Sequence, residues 1–136
     1  MKELKVGDEV YAILVSKKDS KEGTQWIGKP FEPLQGSRMR YPAGTIFRVH
    51  RHILNPRMIQ RTQEAFVVIS GKIAVDMHDS KFRPIGTLEA GAGDAIFVYR
   101  GAHGVRILRK ALLYEIKAGQ FMGNISEEKE FMNVKN

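Results

Sequence analysis

The residues best placed to do chemistry lie in two short stretches. Phe47 to Phe66 reads FRVHRHILNPRMIQRTQEAF, and Tyr99 to Arg106 reads YRGAHGVR. His50 and His52 stand two apart. On an extended strand both side chains leave on the same face, where two imidazoles can chelate one divalent ion. Arg51 between them points the other way. Glu64 shares a parity with Phe66 and Val68, so its carboxylate belongs to an apolar face. A charge there is costly unless it is paired or coordinated. His103 follows an apolar run and a glycine turn, which can bring it back to the same end of a barrel. Three neutral imidazoles and one carboxylate suit Zn, Fe, Mn, Ni or Cu and leave positions open for water or a substrate. The competing readings are an exposed His-x-His pair and a salt bridge from Glu64 to a nearby arginine. His78, at a hairpin end, reads as a solvated turn residue.

The elements that must position these residues are short strands. EVYAILV (9–15), TIFRVHRHI (45–53), QEAFVVIS (63–70), IAVDMHD (73–79), AIFVY (95–99), GVRILR (104–109) and ALLYEIK (111–117) are rich in β-branched and aromatic residues. Gly71-Lys72 reads as a hairpin turn between two of them. SKKDSKEGTQ (16–25) reads as a polar loop, and RPIGTLEAGAGD as two further turns. No segment holds a helical apolar period over three turns. SEEKEFM (126–132) alone fits a short helix, with Ser126 as N-cap. The expected fold is all-β, a sandwich or barrel, in a single domain covering residues 1–136.

Composition sets the class. The 136 residues carry a net charge of +7 and no cysteine, so disulfides and thiolate chemistry are excluded. No apolar run reaches the roughly 18–20 residues of a membrane span, and the start has no apolar signal core. These features are expected of a cytoplasmic protein that does not engage membranes. From Pro33 to Gln63 there is no acid but there are six arginines, Arg38, Arg40, Arg48, Arg51, Arg57 and Arg61. This positive field suits a small anionic ligand, or is a solvated basic face. Arg38, Arg40 and Arg48 are the candidates to pair with a carboxylate or phosphate. Nucleic acid is disfavoured, because the arginines lack interleaved aromatic platforms and no recognition helix is apparent. Glu115 and Lys117 share a parity and are expected as an exposed pair.

The same residues resemble the cupin superfamily. Its first motif is matched by Gly44, five residues, His50-Arg-His52, eleven residues, Glu64, six residues and Gly71. The gap of eleven is longer than the usual three or four. The second motif is matched by Gly93-Asp94, Gly101 and His103. Tyr99 stands where proline is usual, Ile107 where asparagine is usual, and His103 comes one residue early. The match covers about residues 36–118. It implies a double-stranded β-helix, the jelly-roll barrel, with His50, His52, Glu64 and His103 as metal ligands. TQEAF, GDAIFVYRGAHG and YEIKAGQF further resemble a group of small cupins that accompany polysaccharide and nucleotide-sugar biosynthesis. That implies a sugar or sugar-nucleotide ligand, and a homodimer in which EVYAILV is an edge or swapped strand. Whether the chain is an enzyme stays open. One alternative is a metal-independent sugar epimerase or ketoisomerase, resembling the rhamnose-pathway enzymes, with His50 or His52 as base and Tyr99 or Tyr114 as acid. Another is a non-catalytic binding module.

Overall fold

A computed structural model describes residues 1–119 and 129–133. Eight strands follow in order: β1 (Lys2–Val6), β2 (Glu9–Val15), β3 (Gly23–Ile27), β4 (Gly36–Arg40), β5 (Glu64–His78), β6 (Pro84–Gly91), β7 (Ala95–Val98) and β8 (Ala102–Lys117). No helix occurs among the described residues. The expected helix over 126–132 falls partly outside them, and its described part, 129–132, is irregular. The chain is all-β, as its alternating apolar runs imply, and its main sheet curls into a half-barrel.

That sheet runs β1-β2-β7-β5-β6, with β8 along the other side of β5. All pairings are antiparallel. Alternation along each strand feeds two cores. Ile96 and Val98 of β7 face the concave core with Phe66, Val68, Ile73, Val75 and Met77 of β5. Phe97 and Tyr99 face a second core with Ile13, Val15 and Ala65. The β3–β4 hairpin and its flanking loop cover this second core, contributing Ile27 and Leu34. Each such side chain, fully buried, contributes about 1.5–3 kcal/mol.

Two expectations need correction here. The runs 63–70 and 73–79 are not a hairpin but one continuous strand. A tight turn at Gly71 would have required the runs to pair with each other, and both pair with β8 instead. Gly71 acts differently. Its φ is +79°, and a Cβ there would collide with the Lys110 carbonyl. The core-facing positions switch from even numbers (Phe66, Val68) to odd (Ile73, Val75, Met77), with register shifts between Val68 and Ile73. The glycine therefore bends the strand through a bulge and lets it change parity without breaking. For the same reason 104–109 and 111–117 are one strand, β8.

The second correction concerns 45–53. The whole stretch 41–62 is irregular: among the described residues no strand lies beside it to accept its backbone hydrogen bonds. Its apolar residues Ile46, Val49, Ile53, Leu54 and Met58 are exposed. β8 has β5 as its only partner among the described residues, so its outer edge is free. β2, expected at an edge, lies inside the sheet between β1 and β7. β1, β3 and β6 were not anticipated. Their sequences KELKV, GTQWI and PIGTLEAG are polar or glycine-containing, and pairing with apolar neighbours rather than intrinsic preference makes them strands.

Asp94 ties the sheet at its turn. One carboxylate oxygen accepts from Ser16 Oγ at 3.2 Å and Lys17 N at 2.8 Å, the other from Gly91 N at 3.0 Å. At the β5–β6 turn, Asp79 accepts from Lys81 N and Arg83 N, and from Arg83 Nε at 2.6 Å.

Candidate functional site

The open side of the half-barrel holds a cleft of about 680 Å³. Glu64 opens β5, Lys117 closes β8, and the two are register partners. His103 enters from the far end of β8, where it pairs with Met77. Thirteen residues of flat strand between positions 64 and 77 would span about 40 Å. Yet His103 Nε2 lies 2.8 Å from Glu64 Oε2. The strand must therefore curl between the two ends, and Gly71, with its positive φ and the register shifts around it, lies on that path.

Glu64 is 6% exposed. Its second oxygen lies 3.5 Å from Lys117 Nζ. The His103 hydrogen bond, followed by the charges of His103 and Lys117, outweighs burial and holds the Glu64 carboxyl below its ordinary value. Glu64 is therefore a carboxylate at neutral pH. The His103 ring stands edge-on to Phe66, with centroids 5.9 Å apart, which fixes its tilt.

Other basic groups surround the pair. Arg100 lines the cleft, its guanidinium donating to Glu9 at 2.6 Å and Glu32 at 2.8 Å. Glu32 is held in turn by Gln63 Nε2 at 2.5 Å, while Gln63 Oε1 accepts from Leu34 N at 2.8 Å. Gln63 is fully buried and structural, in keeping with its parity away from Glu64. His78, read from sequence as a solvated turn residue, is half-buried and lines the cleft together with Phe82.

The other sequence candidates lie elsewhere. His50 and His52 are exposed on the irregular segment, ring centroids 5.4 Å apart, with His50 Nδ1 at 2.9 Å from the Arg48 carbonyl. No three metal-ligating side chains gather among the described residues. Arg48 is exposed on the same segment. Arg38 is fastened to Gln25 Oε1, to the Asp19 and Lys21 carbonyls and to the Asp19 carboxylate. Arg40 reaches the Lys17 and Asp19 carbonyls. Both brace the loop before β3 and are not among the cleft's lining residues. Tyr99 is buried on the opposite face of the sheet from Val98 and Arg100, and Tyr114 is exposed. Neither phenol lines the cleft.

Arg100 and Lys117 were missed. Arg100 has the parity of Val98 and simply extends that face. Lys117 was expected in an exposed pair with Glu115. It sits 3.9 Å from Glu115 but nearer to Glu64, and lines the cleft. The register partner decides this, and a register is not readable from one strand. No family model, curated protein or solved structure matches the chain.

Proposed function

We propose that this is a cupin-type jelly-roll protein whose cleft is a divalent-metal centre that takes a small anionic ligand of the sugar or sugar-nucleotide class. The observation that carries the reading is the buried Glu64 carboxylate held against His103 on the cleft wall. Two ligands bound side by side at ~2.1 Å from one ion lie about 3 Å apart. The Glu64 and His103 donor atoms, 2.8 Å apart, fit that spacing and are of the right chemical type. Lys117 is the misfit, since its ammonium competes for the same carboxylate. Its long stem lets it turn away toward an anion.

His50 and His52 would complete the ligand set. Residues 53–63, which join His52 to Glu64, reach up to ~36 Å when extended. The free edge of β8, which begins beside His103, offers unpaired backbone groups to a strand of alternating character. Adding 45–53 there would satisfy both the edge and the exposed apolar residues and would close the barrel. A metal bound at these four residues supplies Lewis acidity or a bound water of lowered pKa. Lys117 and His78 would then hold the anionic part of the ligand, Phe82 would give it an apolar wall, and the edge-on contact with Phe66 would keep the His103 ring in place.

Elemental mass spectrometry tests this on wild type, Glu64→Gln/His103→Ala and His50→Ala/His52→Ala after exposure to Fe, Mn, Ni and Zn. About one metal per chain, lost in both double variants, is the expected result. Absence of metal from all three overturns it. A second reading rests on the direct Glu64–His103 hydrogen bond, in which Glu64 orients His103 as a general base in a metal-independent epimerase or ketoisomerase. Chelator-insensitive deuterium uptake at a sugar carbon, abolished by His103→Ala, distinguishes it.

A further inference from the structure

Among the described residues, one residue other than glycine has a positive φ: Phe82, at +59° in the turn between β5 and β6. An L residue with a bulky side chain is strained there, whereas glycine or asparagine fills such a turn position freely. The turn holds the conformation firmly. Phe82 N donates to the Asp79 carbonyl at 3.0 Å, and Asp79 N to the Arg83 carbonyl at 2.9 Å. The Asp79 carboxylate accepts from the Lys81 and Arg83 amides on either side of Phe82. Phenylalanine therefore sits where the backbone would be easier without it.

The ring does not serve the fold. Phe82 belongs to neither core and is not among the partly buried side chains packed against them. It is half-buried, stacks on no aromatic ring among the described residues, and lines the cleft. The register sets it near the His103 end of that cleft: Met77 pairs with His103 and His78 with Ala102, and the turn follows directly. Phe131 and Met132, also outside both cores, line the same cleft and are 70% and 48% exposed. Strain held at a cleft, with no core packing to offset it, points to binding. Apolar rings beside Lys117, His78 and His103 suit a ligand of mixed character, an anionic group joined to a flat ring.

We propose that the cleft contains an aromatic-ring subsite, in which Phe82 is the specificity-determining plate against which a planar ring of the ligand packs. This rests on the cleft being a ligand site, and it narrows the ligand to an anion that carries such a ring.

Phenyl phosphate, inorganic phosphate and phenol separate the two halves of that ligand. Titration calorimetry on wild type should show phenyl phosphate binding about tenfold tighter than inorganic phosphate, the effect of one good ring contact. Phe82→Asn suits the turn and removes the ring. It should bring that ratio close to one without lowering the Tm, while Phe82→Tyr keeps the ratio. Phenol, followed by saturation-transfer NMR, should bind wild type and Phe82→Tyr but not Phe82→Asn. The proposal is overturned if wild type binds both phosphates equally, or if Phe82→Asn keeps the preference. It is also overturned if Phe82→Asn melts well below wild type, which assigns the ring to the fold. A Phe82-dependent phenol signal with neither phosphate bound upholds the ring subsite and counts against the anionic half of the cleft reading. No phenol signal and no phosphate binding removes both.

Discussion

Replacing Tyr99 by phenylalanine removes one oxygen atom and should make the protein more stable. The hydroxyl gave up its hydration on folding and found no partner among the described residues. Leaving a hydroxyl in that state costs about 1–3 kcal/mol. Phenylalanine keeps the ring stacked on Phe97 at 6.4 Å and loses only the oxygen's contacts with Gly28, worth a few tenths of a kcal/mol. The net expectation at pH 7 is a gain of about 1 kcal/mol, or roughly 3–5 °C in Tm for a domain of this size. The difference grows in alkali. In the folded chain the phenol is pushed up to about 12, against 10.0 unfolded. Below pH 10 both states keep the proton and nothing is lost. Between pH 10 and 12 the unfolded chain releases it first, so stability falls as pH rises through that window. At pH 11 this adds about 1 kcal/mol to the advantage of the phenylalanine variant. Urea unfolding of both proteins at pH 7 and pH 11 measures the two quantities. A variant less stable than wild type at pH 7, or a difference that does not grow by pH 11, would refute the claim that this hydroxyl is buried without a partner.

Gly71→Ala places a Cβ against the Lys110 carbonyl at positive φ, and a loss of at least ~2 kcal/mol is expected in thermal or urea unfolding. The same variant should weaken the Glu64–His103 contact, seen as a shift of the His103 ring resonances; an unchanged spectrum would argue against the bend as its cause. Asp76 is held at about 2 by its hydrogen bonds with Arg106 and Thr87. Its contribution is complete above its ordinary value of 3.8 and is lost as pH falls through about 2. Asp76→Asn should therefore destabilise at pH 6 and match wild type in the acid limit, a convergence that paired unfolding curves will show or deny. Lys117→Ala should leave Glu64 with His103 as its remaining charge partner and lower affinity for an anionic ligand in the cleft, with titration calorimetry against a sugar phosphate as the measure.

The all-β class was legible because EVYAILV, AIFV and the two halves of β5 and β8 alternate or run apolar at strand length. Glu64 was legible from parity alone, since it falls on the face of Phe66 and Val68 and is buried there with His103. What could not be read were the pairings. Gly71 looks the same in a sequence whether it makes a hairpin or a bulge; which of the two occurs depends on β8, far along the chain. Segment 45–53 has the composition of a strand but no partner among the described residues, and a strand without a neighbour leaves its backbone to water. Arg38 and Arg40 were read as ligand arginines from charge, while they reach instead to Gln25, Asp19 and the carbonyls of a loop whose course the sequence does not announce.

The β5–β8 ladder has a consequence for how the molecule is made. Glu64 pairs with Lys117, so the central strand cannot be completed on that side until the last of β8 has been synthesised and has returned across β6 and β7. Closing so large a loop must precede the contacts that reward it, which places the chain among slow folders. During that interval β5, apolar on both faces near Ala65 and Phe66, has an unpaired edge. The Glu64–His103 contact, formed only when the whole ladder has curled shut, is thus a natural reporter of the final folding step rather than of any early one.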